Sequence, residues 1–353
     1  MKKNIYCIFL GLAAITLLAS CNKNEVIEDN DPVIVDGKIL FSAEINTMKP
    51  DPSAAKYSFN AAGNATDPNP NIFFNLGDSV YINGRPYAVF PYYSEYPETE
   101  NASAHARIWA DIDSTGTYKG LFPKSTFTDI SDIDHPMLLM PESMKAFPTD
   151  LYYLGSIFEI NPADDGRVMP MTAYVTHQTI HEMLRFKNTM GMLLLSLRYN
   201  YPFGACIDPQ SSSEAGYPYI EVTRVKITTP NVALTGTGTI SDPYGDAPQV
   251  TIGPNGGHTM TYTIDSTVGI QPTQRGAQDL LFLPIVPFPA TPATIEVYFT
   301  THSLVSGTEH HYKYSRTVNS GNNMLHAERG QYNNLILSFT SAADYNTYCT
   351  MLD

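Results

Sequence analysis

Ile39-Leu40-Phe41-Ser42-Ala43-Glu44-Ile45-Asn46 is the stretch that decides the fold class of this chain. Ile39, Phe41, Ala43 and Ile45 alternate with Leu40, Ser42, Glu44 and Asn46, a period of two that places one set on each face of an extended strand. The pattern recurs to the end of the chain. Leu193, Leu195 and Leu197 alternate with Leu194, Ser196 and Arg198; Ile295, Val297 and Phe299 with Glu296, Tyr298 and Thr300; Leu335, Leu337 and Phe339 with Ile336 and Ser338. These are the marks of antiparallel sheets with one face inward and one wet. In Tyr219 to Thr228 the alternation slips near Thr223-Arg224, which predicts a β-bulge.

Composition agrees. The chain has 353 residues with 23 Tyr, 23 Gly and 26 Pro, the makeup of short strands separated by turns. Strand candidates near Leu193, Val222, Leu234, Met260, Leu280, Ile295, Tyr312 and Leu335 are enough for a seven-stranded sandwich in the second half. One helix is expected, over Thr176 to Phe186, where His177, Ile180, His181 and Leu184 fall at helical spacing. The length suits two domains, placed at residues 37–182 and 183–353, and the fold class is all-β, two antiparallel β-sandwiches in tandem.

Toward the N-terminus the pattern stops. Lys2 and Lys3 precede an apolar run from Ile5 to Leu18 that closes on Leu18-Ala19-Ser20-Cys21. This reads as a lipoprotein signal peptide over residues 1–20 with Cys21 as the lipidation site; the run is too short to span a bilayer. Two or more acyl chains on one cysteine hold a protein on a membrane stably. Residues 21–36, with Glu25, Glu28, Asp29, Asp31 and Asp36, have little to bury and read as an acidic flexible tether, with ordered structure from Ile39. The formal charge is −14, and loss of Lys2 and Lys3 makes it more negative. Phosphate binding needs basic surface, so nucleic acid is excluded as a partner. Cys206 and Cys349 remain after maturation; their sequence separation neither requires nor forbids a disulfide.

Several short segments, in this order, resemble the fimbrillin-like lipoproteins of Bacteroidales, the superfamily of major and minor fimbrial subunits. They are Phe74-Asn75-Leu76-Gly77-Asp78 leading into Val80, Tyr118-Lys119-Gly120-Leu121-Phe122-Pro123, Leu184-Arg185-Phe186-Lys187-Asn188 running into Gly191-Met192-Leu193-Leu194-Leu195, then Leu234-Thr235-Gly236-Thr237-Gly238, Leu283-Pro284-Ile285-Val286-Pro287 and Gly330-Gln331-Tyr332. The resemblance implies two transthyretin-like β-sandwich domains and a lipid-anchored, surface-exposed place on the outer membrane or in a fimbrium. It also implies β-strand addition between subunits once a protease removes the first strand. The matching strand here is Ile39, Phe41, Ala43 and Ile45, with Lys38 and Lys49 as the nearby basic processing sites. The first Arg after the signal is Arg85, so this chain departs from an Arg-specific cut. The tail, Thr340 to Asp353 with Tyr345, Tyr348, Met351 and Leu352, reads as a last strand on its own domain or as an inserting segment. Partners implied are the outer membrane, other fimbrial subunits and host or bacterial surface ligands.

No constellation argues for an enzyme, a metal or a cofactor. Glu182 lies outside the His177/His181 pair, whereas zinc proteases carry the Glu between the two histidines. His310-His311 in a strand point to opposite faces. Asp111, Asp113 and Gly116 resemble the start of a calcium loop, but Phe122 stands where the closing Glu belongs. Asp164-Asp165-Gly166 reads as a turn and Gly256-Gly257 as a hairpin turn. The alternative function is a monomeric glycan-binding lipoprotein for nutrient uptake, with Tyr92, Tyr93, Tyr96 and Trp109 stacking on sugar rings; the competing reading makes half of these aromatics core.

Overall fold

In the computed structural model the described residues are 34–46, 49–50, 70–72, 74–91, 102–103, 105–113, 115–148, 158–160, 168–176, 183–199, 219–264, 276–302, 309–319, 324–339 and 347–353. They are built almost wholly of strands in several sheets, and the molecule is all-β.

Ile34–Val35 pairs antiparallel with the start of Lys38–Ile45 around a two-residue loop, Asp36-Gly37. Both loop residues have positive φ, 51° and 74°, as the hairpin turn that follows the strand twist requires. Asn83-Gly84, at 49° and 78°, turns Ser79–Ile82 into Arg85–Ala88 in the same way. Folded structure therefore begins before Ile39, because an Asp-Gly pair closes a hairpin out of what otherwise reads as tether.

Lys38–Ile45 sits inside a nine-stranded sheet. Its neighbours are His105–Asp111, antiparallel along seven residues, and Leu184–Asn188, parallel at Ala43 to Ile45. The sheet runs on through Met171–Thr176, Thr117–Phe122, Ser79–Ile82 and Arg85–Ala88. Arg85–Ala88, at one end of the sheet, reaches His105–Asp111 near the other: the Arg85 guanidinium lies 2.8 Å from the Asp111 carboxylate, and the Asp111 N–H donates to the Tyr87 hydroxyl at 3.3 Å. Inside lies a first core of Ile39, Phe41, Val80, Ile108, Tyr118, Phe122, Phe186 and their neighbours.

The helix expected over Thr176 to Phe186 is not what its ends form. Thr176 closes the strand Met171–Thr176, and Leu184–Asn188 is a strand with Leu184, Phe186 and Asn188 buried and Arg185 exposed. The period-two order Leu-Arg-Phe-Lys outweighs the i, i+4 histidines. His177, His181 and Glu182 lie outside the described residues. This strand hydrogen-bonds into the first sheet although it follows position 182.

A five-stranded sheet, in the order Phe147–Pro148, Gly276–Ile285, Gly191–Tyr199, Gln331–Phe339 and Lys49–Pro50, separates two cores. Met192 and Leu194 belong to the first core, whereas Leu193 and Leu195 belong to the second. The expectation of one wet face fails here: all four are buried. A continuous apolar run is what a strand covered on both faces requires, and Gly191–Tyr199 is also parallel to Gln331–Phe339.

The second core draws on a six-stranded sheet, Ser143–Lys145, Thr259–Thr263, Tyr219–Thr228, Ala293–His302, Glu309–Val318 and Cys349–Met351, and on a four-stranded one through Met137–Met140 and Gly236–Ser241. The register between Tyr219–Thr228 and Ala293–His302 shifts between Val222 and Arg224, the predicted bulge. Gly256-Gly257 is not a hairpin turn. Gln249–Ile252 pairs with Gly236–Ser241 and Thr259–Thr263 with Tyr219–Thr228, so the glycines carry the chain from one sheet to another. A Cβ at Gly256 would stand 2.5 Å from the Thr235 carbonyl oxygen, and backbone passes too closely there for any side chain.

Candidate functional site

The first strand and the bed it occupies are the most developed candidate. Along Lys38–Ile45 the exposure alternates, and Ile39, Phe41, Ala43 and Ile45 are each 5% exposed or less. The Phe41 ring meets Tyr118 edge to face, centroids 4.6 Å apart. Burying a side chain such as Ile or Phe is worth about 1.5–3 kcal/mol. The strand's end is pinned by polar bonds: the Asn46 N–H donates to the Phe186 carbonyl at 3.0 Å, and Asn188 Nδ2 donates to the Asn46 carbonyl at 2.7 Å. Glu44 and Arg185 form an ion pair at 3.5 Å, which at its exposure is worth at most ~1 kcal/mol.

Of the two basic processing candidates, Lys38 is exposed at the start of this strand, opposite Asp111. Lys49 lies beyond the strand's end and is paired with Gln331. The chain between the strand and Lys49 thus leaves the first sheet for the five-stranded one. Cys21 lies outside the described residues, and among these no helix is long and apolar enough to cross a membrane.

Of the aromatic candidates, Trp109 lies among the described residues. Trp109 is half-buried in His105–Asp111, opposite Leu40; Tyr92, Tyr93 and Tyr96 lie outside the described residues. Phe90, exposed and paired with Arg107, is an aromatic on the neighbouring strand that the sequence reading did not single out.

The tail packs on its own sheet. Cys349–Met351 pairs antiparallel with Tyr312 to Tyr314. The Leu352 N–H donates to the His311 carbonyl at 2.9 Å, and the Asp353 carboxylate accepts the His311 N–H at 3.0 Å and faces His310 Nδ1 at 3.0 Å. Tyr345 lies outside the described residues, as does Cys206. Cys349 is a free thiol, and burial pushes its pKa up to about 12. It is therefore protonated and poorly nucleophilic near neutral pH. Alkylation at pH 8, followed by peptide mapping, is expected to label Cys349 at least tenfold more slowly in the folded chain than in urea; equal rates would show that the tail does not stay docked.

The calcium-loop reading ends at Asp113. Its carboxylate accepts the Thr115 N–H at 2.8 Å and hydroxyl at 2.6 Å, and Asn83 Nδ2 at 2.8 Å. Phe122 is core. The Thr115 hydroxyl first, then its N–H, hold the Asp113 pKa below the usual value. A depressed carboxylate adds stability that is complete above the unfolded pKa, about 3.9, and is lost as pH falls through the folded value. The melting-temperature gap between the parent and Asp113→Asn is therefore expected to be constant from pH 7 to 5 and to narrow as pH falls below the unfolded pKa of about 3.9. A gap independent of pH down to 2 would remove the carboxylate's role. Asp164-Asp165-Gly166 lies outside the described residues. Among these no group of three or more His, Cys, Asp or Glu side chains is placed to hold a metal ion. His310 and His311 do point apart, His311 toward the Thr300 hydroxyl at 3.0 Å.

No family model matches the chain and no curated protein matches it significantly. Among solved structures it is similar to a "putative cell adhesion protein" from Bacteroides uniformis ATCC 8492, with 11% identity, 90% of this chain and 97% of that chain covered, and a TM-score of 0.44. A second of the same description, from Bacteroides ovatus ATCC 8483, shares 9% identity over 92% of this chain and 96% of its own, with a TM-score of 0.41. A fimbrial protein from Bacteroides ovatus ATCC 8483 shares 11% identity over 87% of this chain and 51% of its own, with a TM-score of 0.27. The chain is similar to these Bacteroides proteins.

Proposed function

We propose that this protein is a surface-exposed lipoprotein of the fimbrillin type, anchored at the outer membrane through Cys21, that acts in adhesion or as a fimbrial component by β-strand addition. One observation carries the reading: Lys38–Ile45 is an interior strand whose four inward side chains fill the first core. It also directly follows the segment read as a lipidated tether. Removing it by cleavage at Lys49 leaves a long apolar groove between His105–Asp111 and Leu184–Asn188, with two rows of unpaired backbone groups. Such a groove is refilled by an extended segment from another copy, main-chain hydrogen bonds giving affinity and alternate side chains giving register. The proposal includes two domains of transthyretin-like character, with Leu184–Asn188, which pairs into the first sheet, counted in the first of them. It includes no catalytic step.

The test is to shear surface material from the host, run it unboiled and boiled on a denaturing gel, and sequence the N-terminus of each band. A ladder that collapses on boiling, with termini beyond Ile45, is the expected result. A single monomer that begins at the lipidated Cys21 overturns strand addition.

A further inference from the structure

The outer face of the six-stranded sheet carries a patch of charge opposite to that of the chain. Cross-strand register sets Lys145, Thr263, Arg224, Tyr298, Lys313 and Thr350 in one row across all six strands. The next row holds Ser143, Thr261, Lys226, Glu296 and Ser315. Inward neighbours such as Val225, Tyr262, Val297 and Tyr314 are buried, so these side chains stand on the opposite, solvent-facing side. The two rows thus hold four basic side chains against one carboxylate, in a chain of formal charge −14. Among the described residues, Glu221 and Glu309 on this face lie toward one end of it.

Three of the four cations are held in place. The Arg224 guanidinium lies over the Tyr298 ring, 3.8 Å from its centroid, which fixes its plane and leaves its N–H edges free to donate. Glu296, only 18% exposed, is shared by Lys226 at 3.6 Å and Lys313 at 3.3 Å. One carboxylate between two ammonium groups leaves a positive charge on a prepared surface rather than on waving side chains. Arg224 stands directly opposite Tyr298, next to the bulge at Val222/Arg224.

We propose that this face binds an acidic polysaccharide, a sugar polymer bearing carboxylate or sulfate groups. The spacing favours that occupant. Two residues along a strand separate Arg224 from Lys226 by about 7 Å, and two strand steps separate Arg224 from Lys145 or Lys313 by about 10 Å. Duplex DNA presents a charge every ~1.7 Å along its axis, far denser than this row, whereas an acidic glycan presents one charge per sugar unit or two. The hydroxyls of Thr261, Thr263, Ser315 and Thr350 fill the rows between the cations with groups that hydrogen-bond sugar hydroxyls. The first row runs across all six strands, as an extended polymer needs, and the assignment stands whether or not the first strand is exchanged between copies.

The test uses the full chain extracted in mild detergent, with affinity electrophoresis through gels containing polygalacturonate, heparin or neutral dextran. Retardation by one or both acidic polymers and not by dextran is expected. Arg224→Gln with Lys313→Gln is expected to weaken binding at least tenfold without moving the melting temperature by more than 2–3 °C. Arg329→Gln with Arg85→Gln, equal in charge change but elsewhere, is expected to leave binding within twofold. No retardation by either acidic polymer overturns the proposal. So does equal loss in both double variants, or a charge-matched DNA duplex binding as tightly as the polysaccharides, since either means that net charge alone is read.

Discussion

Phe41→Ala is expected to cost about 3–5 kcal/mol of folding stability. The side chain is 4% exposed at the middle of the first strand and meets Tyr118 edge to face. Truncation removes that contact and opens a void between strands hydrogen-bonded on both sides, which restricts collapse. The loss is a large part of the 5–15 kcal/mol that holds a typical domain together. Urea unfolding of the full chain, followed by tyrosine fluorescence and circular dichroism, measures it. A change below 1 kcal/mol would place Phe41 outside the core and remove the groove the proposed strand exchange depends on. In a host that processes the protein, the same substitution is expected to speed release of residues before Lys49, because the strand is held less tightly.

Leu193→Ala and Leu194→Ala are each expected to cost about 2–5 kcal/mol, with different parts of the molecule loosened. The two residues are neighbours in sequence, are both buried, and face different cores. Leu193 shares its core with residues of the six-stranded sheet such as Val225 and Tyr262, and Leu194 shares its own with residues of the nine-stranded sheet such as Phe186. Amide exchange is therefore expected to quicken first in Tyr219–Thr228 and Ala293–His302 for the Leu193 variant. For the Leu194 variant it quickens first in Lys38–Ile45 and Thr117–Phe122. Identical exchange patterns would show that the five-stranded sheet does not separate two cores.

Much of the architecture was legible in the sequence because a strand with one wet face records its environment in a period of two. Ile39 to Ile45 and Ile295 to Phe299 have the expected alternation, and the slip at Thr223-Arg224 marks a real bulge. Asp36-Gly37 and Asn83-Gly84 were equally readable, since only residues that tolerate positive φ close a two-residue hairpin of this kind; attention to dipeptides rather than to apolar runs finds them. At the C-terminal end of the Thr176 to Phe186 stretch, the alternation of Leu184 and Phe186 with Arg185 and Lys187 was the signal that decided the local structure, and it makes a strand.

By itself the sequence determined that this protein is built of strands and that one of them bulges near Thr223-Arg224. Those properties reside in local composition and period. Only the tertiary structure decided that Leu193 and Leu194 serve different cores, that Leu184–Asn188 runs parallel to the first strand, and that Cys349–Met351 closes the edge of its own sheet. It also brought Lys145, Arg224, Lys226 and Lys313 onto one face from three separate strands. Strand pairing joins residues far apart along the chain, and nothing in the local period of a strand specifies which other strand it will meet.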